Sequence, residues 1–190
     1  MKEEVVLINE NNEVLGTEEK LTVHTGDTKL HRGFSLFLFN SKNELLLQQR
    51  SKFKITWPKV WSNTVCGHPM LDETPEHASQ RRLKYELNVD LNLEKFNLIL
   101  PSYRYKYTHL GIVENEICPV VVALADIEPQ PNPSEVMDFR WVDWQSFLDE
   151  ISKPNSYTEW CVEESGLLNK NNKFNRLINQ NQLLASNSVY

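Results

Sequence analysis

Gly67-His68-Pro69-Met70-Leu71-Asp72-Glu73-Thr74-Pro75-Glu76-His77-Ala78-Ser79-Gln80-Arg81-Arg82-Leu83-Lys84-Tyr85-Glu86-Leu87-Asn88-Val89 is the stretch on which the fold turns. From Pro75 to Leu87 it reads as a helix. Thr74 can cap it, Pro75 suits a first turn whose amide has no partner, and Glu76 complements the positive end of the helix dipole. Arg82 and Glu86 are four apart and share a face of that helix. Just upstream, Asn63-Thr64-Val65-Cys66-Gly67-His68-Pro69 puts a thiol one intervening residue from an imidazole. Further along, Glu114-Asn115-Glu116 offers two carboxylates, and an extended Ile112 to Ile117 would place both on one face. A thiol and a carboxylate pair can exchange protons with a substrate from opposite sides. Either segment alone is as well explained by a buried cysteine beside a surface histidine, or by a solvated acidic loop, so the reading depends on what accompanies them.

A chain of 190 residues is long enough for one good-sized core and short for two domains. Hydrophobic residues at 40% and charged residues at 24% are those of an ordinary globular protein. The formal charge of -6 argues against non-specific nucleic-acid binding, because nothing offsets repulsion from a phosphate backbone. An anionic small molecule remains compatible if basic side chains gather locally. The cysteines are Cys66, Cys118 and Cys161, an odd and widely spaced set that predicts no disulfide framework and fits a reducing, cytoplasmic setting. Val5 to Ile8 is too short an apolar run for a secretory leader, and Ile117 to Ala125 is too short to span a bilayer.

Outward from the opening stretch, strand and helix signals alternate. Val5 to Ile8 and Glu13 to Gly16 predict a first hairpin around Asn9-Glu10-Asn11-Asn12. Phe34 to Phe39 and Leu45 to Gln49, flanking Asn40 to Glu44, predict a second. Tyr103 to Tyr107 and Ile112 to Leu124 read as strands, with Pro119 at a bulge or an edge because it has no N–H for a ladder. Trp144, Phe147, Leu148 and Ile151 recur at helical spacing behind Asp143, a ready cap, and read as core packing. From Asn169 the chain is rich in Asn and Gln around Phe174, Leu177, Ile178, Leu183 and Leu184, which predicts a terminal helix with a frayed end. The expected organisation is one domain over 1–168, including the N-terminal hairpin, followed by a C-terminal helix and tail over 169–190.

Gly67, five residues, Glu73, seven residues, Arg81, then Arg82 to Val89 resembles the Nudix box, whose loop-helix-loop presents acidic residues to a divalent metal on a diphosphate. The hydrolytic form of that box carries a cluster of glutamates where this chain has Arg82 and Tyr85, leaving Glu86, and its later glycine is Asn88 here. Losing those carboxylates weakens metal activation of a hydrolytic water. Arg82 and Glu86 suit one diphosphate instead, the guanidinium on its oxygens and the carboxylate on a bridging Mg2+. A plain helical ion pair is the alternative. Together with Gly16-Thr17-x-x-Lys20, His24 to Phe34, Arg50 to Pro69, Arg104-Tyr105, Gly111 to Pro119, Glu135-Val136-Met137-Asp138 and Trp160, the chain is similar to the type I isopentenyl diphosphate isomerases from about Val5 to Trp160. It departs from their pattern at Lys59, where a glycine is frequent, and at Glu159, where a proline is frequent.

That resemblance implies an α/β, Nudix-like single domain, a mixed β-sheet sandwiched between helices, that interconverts isopentenyl and dimethylallyl diphosphate. A Nudix hydrolase and a non-catalytic Nudix-like binding module are the rival readings. By the same resemblance His24, His31, His68, Glu114 and Glu116 would hold one Zn2+ or Mn2+, a choice that mixed imidazole and carboxylate ligation leaves open. His77 and His109 match no such position and are expected to be exposed. Cys66 and Glu116 would be the acid and base, with Tyr105 near the carboxylate and Trp160 facing the cation between them. Glu86 and Cys66 would serve the Mg2+ that accompanies the diphosphate, and Lys20, Arg50, Lys54 and Arg82 would gather the diphosphate itself. The implied partner is a small isoprenoid diphosphate, with no nucleic acid and no membrane, bound by a monomer or weak dimer.

Overall fold

The computed structural model describes residues 3–152 and 157–187. The first hairpin forms as expected: β1 (Glu4–Ile8) pairs antiparallel with β2 (Val14–Glu19), and the short α1 (Lys20–Val23) follows directly. Next come β3 (His31–Arg32), β4 (Phe34–Phe39), β5 (Glu44–Arg50), β6 (Trp61–Ser62) and β7 (Val65–Gly67). α2 (Pro75–Leu87) has the predicted bounds, and the Thr74 hydroxyl accepts the His77 amide at 3.3 Å. β8 (Phe96–Leu100), β9 (Arg104–His109), β10 (Ile112–Ile117), β11 (Val120–Leu124) and β12 (Val136–Asp143) complete the strands. α3 (Trp144–Glu150), capped by Asp143, then α4 (Glu159–Asn169) and α5 (Asn172–Asn187) close the described chain.

The strands divide over two mixed sheets. One has the order β2-β1-β3-β10-β9; the other runs β12-β5-β4-β11-β8, with β6 added to β5 and β7 to β4. Every residue of β4 is buried, because the second sheet is covered on both faces. On one face Leu36, Leu38, Leu46 and Val121 pack against Ala78, Leu83 and Leu87 of α2. On the other, Phe37, Phe39, Leu45 and Leu47 meet Phe147 of α3, Trp160 and Leu168 of α4, and Phe174 and Ile178 of α5. Each of the leucines, isoleucines, valines and phenylalanines among them contributes about 1.5–3 kcal/mol on burial.

The expectation of one strand from Ile112 to Leu124 needs correction. β10 ends at Ile117, β11 begins at Val120, and the two lie in different sheets. The break falls at Cys118-Pro119, and β3-Gly33-β4 crosses beside it in parallel, with Ile117 opposite Arg32 and Val120 opposite Ser35. The Gly33 amide donates to the Ile117 carbonyl and the Ser35 amide to the Pro119 carbonyl. Pro119 therefore accepts a bond at the crossing, where its own missing N–H leaves no rung unmade. The two sheets are thus joined by a double crossing, and the candidate site lies directly against it.

Candidate active site

His24 caps the end of α1, His31 lies in β3, His68 follows β7, and Glu114 and Glu116 are alternate residues of β10. One ligand atom each from His24, His31, His68 and Glu114 fall within 4.8 Å of one another. Backbone carbonyls orient two of the rings: Lys20 O lies 2.8 Å from His24 Nδ1, and Lys29 O lies 2.8 Å from His31 Nδ1. Their Nε2 atoms therefore point inward toward the cluster, the arrangement metal-ligating histidines adopt. His31 Nε2 faces His68 Nε2 at 3.3 Å, an unfavourable meeting of lone pairs unless a proton or a cation stands between them. His24 Nε2 and Glu114 Oε2 lie 3.1 Å apart, yet neither has a hydrogen-bond partner among the described residues. Buried donor atoms left without partners fit a divalent ion. Glu116 Oε1 adjoins this group, 3.1 Å from His68 Nε2 and 3.4 Å from His31 Nε2. Burial lowers the His68 imidazole to about 4, so it stays neutral. Burial alone would raise the Glu116 carboxyl, but hydrogen bonds from His31 and His68 hold it far below the usual carboxylate range.

A cavity of about 490 Å³ opens onto this cluster, lined among others by Cys66, His68, Tyr105, Glu114, Glu116 and Trp160. The Tyr105 hydroxyl donates to Glu116 Oε2 at 3.0 Å, and burial keeps that phenol protonated by raising its pKa well above the ordinary value. Burial also pushes the Cys66 thiol up to about 11, against the pull of Arg50, whose Nη1 donates to Sγ at 3.1 Å. The carbonyls of Thr56 and Trp57 fix the rest of that guanidinium. Trp160 is 1% exposed, stacks on Tyr105 with ring centres 5.5 Å apart, and donates Nε1–H to Asn63 at 3.2 Å. Part of the cavity wall beside the carboxylate is thus aromatic, and such a face can meet a cation without bonding to it.

Of the cations expected to gather a diphosphate, Lys20, Lys54 and Arg82 lie nearby and are matched by carboxylates, whereas Arg50 is held by Cys66 and backbone carbonyls. Arg82 donates to Glu86 at 2.6 and 3.0 Å, to Glu135 at 2.8 Å and to Glu3 at 2.8 Å. Lys54 pairs with Glu135, and Lys20 with Glu3 at 2.6 Å. Glu86 is fully buried and also accepts from Gln48 at 3.2 Å. It is Glu135, not Glu86, that lines the cavity. Of the histidines set aside, His77 is exposed, whereas His109 is half-buried because it stacks on Trp57 with ring centres 5.2 Å apart.

Sequence reasoning passed over several residues that shape the site. A Cβ on Gly33 would lie 1.8 Å from Glu116 Oε2, so the glycine leaves the space in which the carboxylate sits. A glycine within extended chain, here between β3 and β4, often marks such a close approach. Asn63 positions Trp160 while donating to the carbonyls of Leu36 and Val65. Trp57, buried and at φ 46°, meets Trp160 edge-on at 4.9 Å and donates Nε1–H to Glu159 at 2.6 Å.

The profile of the NUDIX domain matches residues 29–161, which makes the chain a Nudix protein. Two solved structures share the fold: DR0079 from Deinococcus radiodurans, TM-score 0.67 at 23% identity over 86% of this chain and 97% of that one, and the MutT protein from Methanosarcina mazei Go1, TM-score 0.58 at 16% identity over 77% and 94%. The isopentenyl-diphosphate Delta-isomerase of Saccharopolyspora erythraea is 44% identical over 85% of this chain and 84% of its own length. That of Escherichia coli K12 is 44% identical over 86% and 90%, and that of Enterobacter sp. strain 638 is 42% identical over 87% and 90%. The chain belongs to the isopentenyl-diphosphate Delta-isomerase family.

Proposed function

We propose that this chain interconverts isopentenyl and dimethylallyl diphosphate through a tertiary carbocation, with Glu116, Tyr105 and Cys66 moving the protons. Shifting the double bond requires one proton to reach the terminal carbon and another to leave the neighbouring methylene. Glu116, ionised at rest, delivers the first once it has taken up a proton, with the Tyr105 hydroxyl 3.0 Å away. Cys66 removes the second as a thiolate; burial keeps it a thiol at rest, so it must first give up its proton, which the Arg50 donor at 3.1 Å assists. The roles exchange in the reverse direction. Trp160 faces the cation that exists between the two steps and does not trap it. His24, His31, His68, Glu114 and Glu116 would hold one Zn2+ or Mn2+, which supplies positive charge beside the carboxylate and sets its acidity. Lys20, Arg50, Lys54 and Arg82 would receive the diphosphate, and Glu86 would join a Mg2+ carried by it once Arg82 exchanges carboxylate for phosphate oxygens.

The observation that carries this reading is one cavity lined by a thiol, a carboxylate with its phenol, and an indole, beside a cluster of unsatisfied metal-ligand atoms. A monomer or weak dimer in the cytoplasm, binding neither nucleic acid nor membrane, accords with it. Among the described residues no helix is long and apolar enough to cross a bilayer. Incubation with isopentenyl diphosphate and Mg2+ in deuterated water, followed by proton NMR, tests the function. Deuterium in a methyl group of dimethylallyl diphosphate is the expected result. Release of free phosphate or pyrophosphate without it would make the chain a hydrolase, and an unchanged spectrum would leave only a binding module.

A further inference from the structure

Glu3, at the open end of the first hairpin, makes three bonds to the cations beside the cavity. Its carbonyl accepts the Lys20 amide at 2.9 Å, its Oε2 takes Lys20 Nζ at 2.6 Å, and its Oε1 takes Arg82 Nη1 at 2.8 Å. Lys20 is thereby held by Glu3 at both backbone and side chain. The same residue lines the reaction cavity and a neighbouring one of about 530 Å³, so it stands where the two meet, and Lys20 lines both as well. Lys20 and Arg82 come from α1 and α2, far apart in sequence, and Glu3 is what ties one to the other.

We propose that Glu3 is a positioning residue, holding Lys20 and Arg82 side by side so that the substrate diphosphate meets an assembled pair of cations. The inference rests on the reading that these two cations receive the diphosphate. Two positive side chains repel each other, and an ionised carboxylate between them removes that repulsion. Lys20 pulls the Glu3 carboxyl down most strongly, against the opposing effect of partial burial, and with Arg82 it holds the group at about 2, so the bridge persists across physiological pH. A contrary effect exists, since a carboxylate also repels an arriving diphosphate. The Glu3 side chain is 46% exposed, and a solvent-screened charge of that kind acts weakly. Immobilising a lysine, in contrast, carries one of the largest side-chain entropy losses, and Glu3 has met it before substrate arrives. Arg82 is already fixed at its far side by Glu86 and Glu135, so Lys20 is the cation whose order depends most on Glu3.

Initial rates with isopentenyl diphosphate and inhibition by inorganic pyrophosphate, measured for wild type, Glu3→Gln, Lys20→Gln and the double variant, test this. Glu3→Gln should raise both KM and the pyrophosphate inhibition constant about three- to tenfold while kcat falls less than about twofold. The unfolding midpoint should not move, since the residue is half-exposed. The double variant should resemble Lys20→Gln alone, because Glu3 acts through Lys20. An unchanged KM in Glu3→Gln beside a raised KM in Lys20→Gln overturns the inference and leaves the diphosphate reading standing. A lowered KM overturns it in favour of Glu3 as a competitor of the diphosphate. If Lys20→Gln itself leaves KM unchanged, the assignment of Lys20 to the diphosphate fails, and the role of Glu3 fails with it.

Discussion

Trp160 belongs at once to the core and to the cavity wall, and the two roles register in different measurements. Its indole N–H bonds Asn63 and its face stacks on Tyr105. Trp160→Phe therefore loses a buried hydrogen bond, about 1 kcal/mol, and some ring volume, and the unfolding midpoint should fall by a few degrees. The chemical rate should fall about tenfold in addition, because the phenyl face is a weaker partner for a cation, with KM nearly unchanged. An ammonium analogue of the carbocation should bind wild type more tightly than substrate and lose part of that advantage in the variant. Equal affinity of the analogue for both proteins would assign Trp160 to packing alone. Cys66 beside His68 and the paired glutamates stood out by residue type and spacing, whereas His24 and His31 entered the candidate set only through the family resemblance. Gly33, Asn63 and Glu3 did not stand out, since each acts on a partner distant in sequence and is unremarkable where it stands.

Elements were read well where local rules decide them and poorly where the second sheet does. The two hairpins and α2 follow from turn residues, a cap and a proline at the first helical position. β8 and β12 escaped notice because each is an edge of its sheet, with burial too uneven to give a clean period of two. α4 hides its helical period by burying polar Glu164 and Ser165 together with Trp160, Cys161 and Leu168. Both departures from the family's glycines prove to be left-handed positions, Lys59 at φ 66° and Asn88 at φ 54°. Asparagine tolerates that conformation, and here its side chain also donates to Gln130 at 2.8 Å, so Asn88→Gly should leave stability nearly unchanged. Lysine pays a steric penalty with no such return. Lys59→Gly should therefore raise the unfolding midpoint by about 2–4 °C, the shift of a net gain near 1 kcal/mol. Thermal melts of the two variants side by side decide it, and a lowered midpoint for Lys59→Gly would show that the lysine side chain holds the loop in some other way.

For the molecule as a whole, one acid of consequence for stability lies outside the reaction cavity. Glu164 of α4 is fully buried, with Oε1 4.0 Å from Cys118 Sγ and Oε2 without a hydrogen-bond partner among the described residues. In the sequence it is one of two adjacent glutamates with nothing to mark it for burial; the packing of α4 against the sheet removes it from water. Burial, reinforced by the negative charge of Glu116, raises its carboxyl well above the ordinary carboxylate range, so the native protein keeps it protonated while the unfolded chain ionises it. Below the unfolded value, near 4.5, both states carry the proton and the residue is neutral in the balance. Above it the unfolded state binds fewer protons, and native stability falls as pH rises, by up to about 1.4 kcal/mol per pH unit, until the folded pKa is reached. Glu164→Gln keeps the shape and removes the titration. The variant should match wild type near pH 4.5 and melt progressively higher than it from pH 5 to pH 8, by about 2–4 °C for each kcal/mol. Melting curves across that range test the account. A difference between the two proteins that is constant with pH would mean that Glu164 is ionised in the native state, held by a partner the burial argument does not supply.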